Sequence, residues 1–105
     1  MKEIDIQNQI RLALNPYMIV FDMSIGSVKE VGDIWIKTGL PKGFSDLFGV
    51  RKSDGRAVFI EVKRDKNSKP RKEQVNFLNQ MRKAGAICGV ARSAEDAINI
   101  IKEEI

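Results

Sequence analysis

Phe44-Ser45-Asp46-Leu47-Phe48-Gly49-Val50-Arg51, followed after a short turn by Arg56-Ala57-Val58-Phe59-Ile60-Glu61-Val62-Lys63, decides how this chain folds. Both runs are rich in β-branched and aromatic residues. They flank Ser53-Asp54-Gly55, whose Asp-Gly pair is strong turn chemistry, so they read as a hairpin of strands 44–51 and 56–63. Side chains two apart leave a strand on the same face, which sets the Cα atoms of Glu61 and Lys63 about 6.5–7 Å apart. If the strands pair, Asp46 approaches Glu61 across the ladder at about 5 Å. Carboxylates that close repel each other unless a positive charge stands between them. A divalent ion beside a lysine resolves the conflict, and that grouping suits phosphodiester hydrolysis.

Working outward, residues 4–14 place Ile6, Ile10, Ala13 and Leu14 on one helical face, and Asn15-Pro16 ends the run. Residues 17–24 read as a strand. Residues 31–36 read as a short strand, a candidate flap over the site, and Gly39, Pro41 and Gly43 mark a loop. After a polar segment at 64–69, Ser68 is positioned to cap a helix over 69–84 with Pro70 in its first turn. Val75, Phe77, Leu78, Met81 and Ala84 supply its apolar side, and Gly85 closes it. Residues 86–91 form a wholly apolar strand, as expected for a strand covered on both faces. Ser93 and Asp96 then resemble a capping box ahead of a last helix carrying Ala97, Ile98 and Ile101 inward. The order α-β-β-β-α-β-α joins an antiparallel hairpin to a parallel crossover. The expected class is α/β, one domain over residues 1–105, with a mixed sheet flanked by helices.

Composition narrows the chemistry. The chain has 105 residues, one cysteine and no histidine. An internal disulfide, a cysteine zinc cage, imidazole metal sites and Ser-His-Asp or Cys-His nucleophiles are all excluded. Any metal must be held by oxygen, which favours magnesium, manganese or calcium. No apolar run is long enough to span a bilayer and Met1-Lys2-Glu3-Ile4-Asp5 is not an apolar leader, so a cytosolic, reduced protein with no membrane partner is expected. The net charge of +4 is unevenly spread: residues 51–83 hold eleven Lys/Arg against four Asp/Glu, and the remainder holds seven against ten. A basic excess around an acidic centre points to a polyanionic partner. Lys42, Arg64, Lys66, Lys69, Arg71 and Lys72 are its candidate nucleic-acid contacts.

The element order and specific residues resemble the PD-(D/E)XK nuclease superfamily and, within it, the VRR-NUC (virus-type replication-repair nuclease) family. The matching residues are Lys42-Gly43-Phe44-Ser45-Asp46-Leu47, Ile60-Glu61-Val62-Lys63, Glu73-Gln74-Val75-Asn76-Phe77-Leu78, Gly85-Ala86 and Gly89-Val90-Ala91-Arg92-Ser93-Ala94-Glu95-Asp96-Ala97. Ser45 stands where the family usually has proline before the aspartate; the ring fixes φ and removes a donor, so its loss leaves the acid available.

The resemblance implies a restriction-endonuclease-like αβββαβ core and a metal-dependent DNA endonuclease using Mg2+ or Mn2+. It implies that Asp46, Glu61 and the Val62 carbonyl hold the ion, with Glu3 on the first helix reaching it through water. Lys63 would orient the attacking water and stabilise phosphate charge, and Gln74 would hydrogen-bond near it. A homodimer acting on branched DNA, as Holliday-junction resolvases do, in the cytoplasm of a bacterium or phage-infected host, is the implied setting. Two blander readings stand beside it. Glu61 with Lys63, taken alone, is an ordinary surface ion pair. The same basic surface also suits a non-catalytic nucleic-acid-binding module that keeps the nuclease fold.

Overall fold

The computed structural model describes residues 1–22, 28–31, 34–37 and 42–103. Helix α1 (Glu3–Leu14) leads into strand β1 (Met18–Asp22). A small hairpin, β2 (Val28–Val31) and β3 (Ile34–Lys37), precedes β4 (Leu47–Arg51) and β5 (Ala57–Val62). Helix α2 (Lys72–Lys83), strand β6 (Ile87–Ala91) and helix α3 (Ala94–Ile101) complete the order. The main sheet runs β1-β4-β5-β6. β4 is antiparallel to both β1 and β5, and β5 is parallel to β6 across α2. No helix among the described residues is long and apolar enough to cross a membrane.

β5 sits at the centre because its side chains serve two cores. Val58, Ile60 and Val62 face Ile6, Ile10 and Leu14 of α1 and Ala97 and Ile101 of α3, all buried. Phe59 faces the other way, against Phe77 and Leu78 of α2 and Cys88 of β6. Each such aliphatic side chain contributes roughly 1.5–3 kcal/mol by leaving water. Covering both faces explains why β5 and β6 are almost continuously apolar. Glu61 is the exception, and it lies on the α2 face.

The tight turn after β4 depends on charge. Asp54 accepts from Arg51 at 3.1 and 2.5 Å and from the Arg56 N–H at 3.2 Å. Arg51 also donates to the carbonyls of Ile101 and Glu103 at 2.8 and 2.9 Å. It therefore satisfies acceptors left open at the end of α3, where a cation is favoured by the helix dipole.

Three expectations need correction. The single strand at 31–36 is two strands: Val31 pairs with Ile34 in a hairpin that shares no ladder with the main sheet. The intervening Gly32-Asp33 is turn chemistry that a one-strand reading passes over. Residues 32–33 of the candidate flap, and Gly39 and Pro41 of the loop expected after it, lie outside the described residues. Helix α2 starts at Lys72 rather than 69, and Ser68 does not cap it. Ser68 is instead held in a turn by Asp65, whose Oδ1 accepts from the N–H groups of Asn67 and Ser68 at 2.9 and 3.0 Å. Finally, β4 opens at Leu47, so Asp46 lies one residue before the ladder.

Gly49 of β4 lies against β1 so closely that a Cβ would press into the Ile19 carbonyl and the Met18 side chain. Gly49→Ala is expected to lower unfolding free energy by about 1–3 kcal/mol, the range for overpacking a filled interior, read from urea denaturation with an unchanged m-value.

Candidate active site

The hairpin register brings the two acids together. Leu47 is opposite Ile60, and one step further Asp46 is opposite Glu61. Asp46 donates its backbone N–H to Glu61 Oε1 at 3.2 Å, and its own Oδ2 accepts from the Val62 N–H at 2.9 Å. Each acid is thus tied to the other's strand. On the far edge of β5, the Lys63 N–H donates to the Ala91 carbonyl at 3.1 Å. Peptide edges alternate along a strand, so the Val62 carbonyl, like its N–H, faces Asp46 rather than β6.

The approach to Asp46 is shaped by two small residues. Gly43 adopts φ +85°, and a Cβ there would strike the Glu73 carbonyl at the start of α2. Only glycine takes that conformation and that closeness without strain. Buried Ser45 donates its hydroxyl to the Leu47 carbonyl at 2.9 Å, replacing the rigidity a proline ring would give with a hydrogen bond.

Helix α2 supplies the next partner. Gln74 Nε2 donates to Glu61 Oε2, and Gln74 Oε1 accepts from the Arg71 N–H at 2.7 Å. One side chain therefore caps its own helix and fixes the Glu61 carboxylate, since an amide has both a donor and an acceptor end. The Lys63 ammonium completes the group, 3.4 Å from Glu61 Oε2.

Glu61 is 1% exposed. Burial, then the neighbouring Asp46 charge, pushes its carboxyl up to about 7, while Lys63 pulls the other way. One lysine does not balance two crowded acids, so a further positive charge suits the site. The available donors, two carboxylates and a peptide carbonyl, are hard oxygens. Among the described residues no group of three Asp, Glu or Cys side chains converges on a point, and Glu3, exposed at the start of α1, does not join Asp46 and Glu61. Magnesium commonly takes one or two carboxylates and keeps several waters, so this donor set fits it.

The cations fall into two groups. Lys42, Arg64, Lys66, Lys69, Arg71 and Lys72 are exposed, five of them between the end of β5 and the first residue of α2. Arg64 lies 3.7 Å from Asp65 and Arg71 3.6 Å from Glu73, loose pairs that leave the charge largely in solvent. Other members of the basic excess are occupied within the fold. Lys52 donates to the Asn15 carbonyl at 3.0 Å, Arg56 to Gly85 at 2.8 and 2.9 Å, and Arg82 to Cys88 at 3.0 Å. Arg92 has a positional role that sequence reasoning did not assign. It donates to the Asp65 and Ser68 carbonyls at 2.8 and 3.0 Å, anchoring the basic connection to the end of β6. Its signal was limited to its place just after an apolar strand.

A family model described as the VRR-NUC domain matches residues 28–95. Among solved structures, one titled "VRR_NUC domain" is similar over 98% of this chain and 97% of that one, with TM-score 0.70 and 24% identity. A second, titled "VRR_NUC domain protein", is similar over 97% and 86%, with TM-score 0.61 and 18% identity. These structural likenesses bear on the fold. A search of curated proteins finds no match.

The raised Glu61 value has a pH consequence. An acid whose folded pKa lies above its unfolded one opposes folding once ionised, so stability falls as pH rises from about 4.5 towards 7. Metal-free protein is expected to be more stable at pH 5 than at pH 7.5 in urea denaturation with EDTA. Glu61→Gln should flatten that difference, and its persistence in the variant would assign it to other groups.

Proposed function

We propose that this chain, which belongs to the VRR-NUC domain family, is a divalent-metal-dependent DNA endonuclease that hydrolyses phosphodiester bonds. The family supplies a nuclease-type fold. The observation that carries the reading further is the convergence of Asp46, Glu61, Lys63 and Gln74 at the end of β5, beside an exposed basic connection.

Asp46, Glu61 and the Val62 carbonyl would hold Mg2+ or Mn2+. When bound, the ion makes water more acidic and offsets charge gathering on the phosphate. Gln74 fixes Glu61 in one orientation, so its remaining lone pairs are set before substrate arrives. The Lys63 ammonium stands beside Glu61 on the same strand face, where it orients water and stabilises developing phosphate charge. Exposed Lys42, Arg64, Lys66, Lys69, Arg71 and Lys72 hold flanking phosphates, as point charges or forks on the polymer. The acidic centre lies at one end of the sheet, with Glu61 buried, Asp46 half-buried and the exposed basic connection beside them. A cleft of about 620 Å³, lined by Tyr17, Arg51, Lys52 and Lys102, is at the other end. An acidic pair at the end of a sheet, beside a basic rim, suits a polyanionic polymer.

The proposed substrate is branched DNA, cut by a homodimer, since two symmetric nicks in a four-way junction require two sites related by a two-fold axis. Sedimentation at micromolar concentration should give twice the chain mass, and a monomer would remove the symmetric-cutting reading.

Purified protein with labelled junction, flap, duplex and single-stranded DNA should nick at least one substrate with Mg2+ or Mn2+ and none with EDTA. Asp46→Ala and Glu61→Ala should each lower the rate by about a thousandfold. Lys63→Ala should lower kcat by about a hundredfold with little change in KM, the pattern for a group acting mainly in the transition state. DNA retained in gel shifts but uncut under every ion would make the chain a binding module.

A further inference from the structure

All five phenylalanines form one connected set of rings on the α2 face of the sheet. Phe44 lies 4.8 Å from Phe77, 5.7 Å from Phe59 and 6.0 Å from Phe48, centroid to centroid. Phe59 stacks on Phe48 at 5.0 Å and meets Phe77 edge-on at 5.3 Å. The last member, Phe21 of β1, lies 6.0 Å from Phe48. Helix α2 packs against β5 and β6. Towards β1 the same face reaches solvent, leaving Phe21 49% and Ile19 54% exposed.

This uncovered end adjoins the acidic site. Phe21 pairs with Phe48 and Phe48 with Phe59, so the three stand in one row across the sheet. Asp46 and Glu61 occupy the next row. From Phe21 to Glu61 is two strands across and two residues along, about 12 Å between Cα atoms, or a few nucleotide steps of a single strand.

We infer that the exposed ring of Phe21, with Ile19 beside it, is a stacking platform for unpaired nucleobases of the strand whose backbone crosses the acidic site. The inference rests on the nucleic-acid reading above and adds the part of the substrate it recognises. A half-exposed ring offers an apolar face that water solvates poorly, and every base has a matching π-face. The bases arrive on a polyanion, and the exposed cations at 64–72 follow directly after Lys63 at the end of β5. That pairing of basic rim and aromatic shelf is how single strands are held without regard to sequence. Bases inside a duplex stay stacked on each other, so the platform selects DNA with an unpaired or splayed segment. A second copy of the chain seated on this face would cover ground within one row of Asp46 and Glu61, which substrate must reach.

The test measures anisotropy of a short labelled thymidine oligonucleotide, and of the same label in a blunt duplex, in EDTA. Phe21→Ala should weaken single-strand binding about tenfold and leave duplex binding unchanged, while Phe21→Tyr, which keeps the ring, should restore it. Matching urea midpoints would show that the variants fold. Equal affinity of wild type and Phe21→Ala for the single strand would overturn the platform, as would an equal loss on the duplex. Conversion of a dimer to a monomer by Phe21→Ala with single-strand affinity intact would assign the face to a second copy. Normal metal-dependent cleavage with an indifferent Phe21→Ala removes the platform alone. Ring-dependent single-strand binding without cleavage removes the nuclease reading alone. No binding to any DNA removes both.

Discussion

One buried carboxylate organises this molecule. Glu61 stands on the central strand with almost no contact with water, and an ionised acid there is tolerated only when its oxygens are occupied. Asp46, Gln74 and Lys63 occupy them, and these come from the lead into β4, from α2 and from the residue that follows β5. Satisfying one charge therefore fixes the relative placement of three segments. The apolar packing around Phe59 and Phe77 supplies the bulk of the adhesion on that face, and the polar contacts determine its register.

The same economy governs the cations. Arg51, Lys52, Arg56 and Arg92 each donate to backbone acceptors at helix ends or connections, and Arg82 donates to the Cys88 carbonyl of β6. Their charges count in any sum over the sequence, yet their donors are largely committed inside the fold. What remains for a polyanion is concentrated between β5 and α2, held in place by Asp65 and Arg92. The field is narrower than the composition suggests, and it adjoins the end of the sheet where the acids meet.

Much of this was legible in residue order. Two runs rich in β-branched and aromatic residues around Asp54-Gly55 disclosed the hairpin, and its register alone places Asp46 opposite Glu61. The apolar run at 86–91 announced a strand covered on both faces. The start of α2 was misplaced because Ser68 is a good cap by type, while its competitor, an Asp65 turn, is equally local and captures it first. The role of Gln74 in capping its own helix through the Arg71 N–H could not be foreseen from spacing alone, because it requires Arg71 to be extended. The exposed end of the phenylalanine set was hidden for a different reason. Strand patterning shows which side chains share a face, but how far α2 extends over that face is a tertiary fact.

The small hairpin β2–β3 has a consequence for the economy of the chain. It is spliced into the connection between β1 and β4, two strands that are antiparallel neighbours and could be joined by a tight turn. The main ladder therefore gains no bond from it, and the chain bears a longer loop closure than the sheet requires, at about 0.6 kcal/mol for each doubling of length. The tail of that connection, from Gly43 to Asp46, is tied to the acidic centre. The β2–β3 ladder, being separate, can be exchanged without redrawing the main sheet, a natural place for relatives sharing this scaffold to diverge.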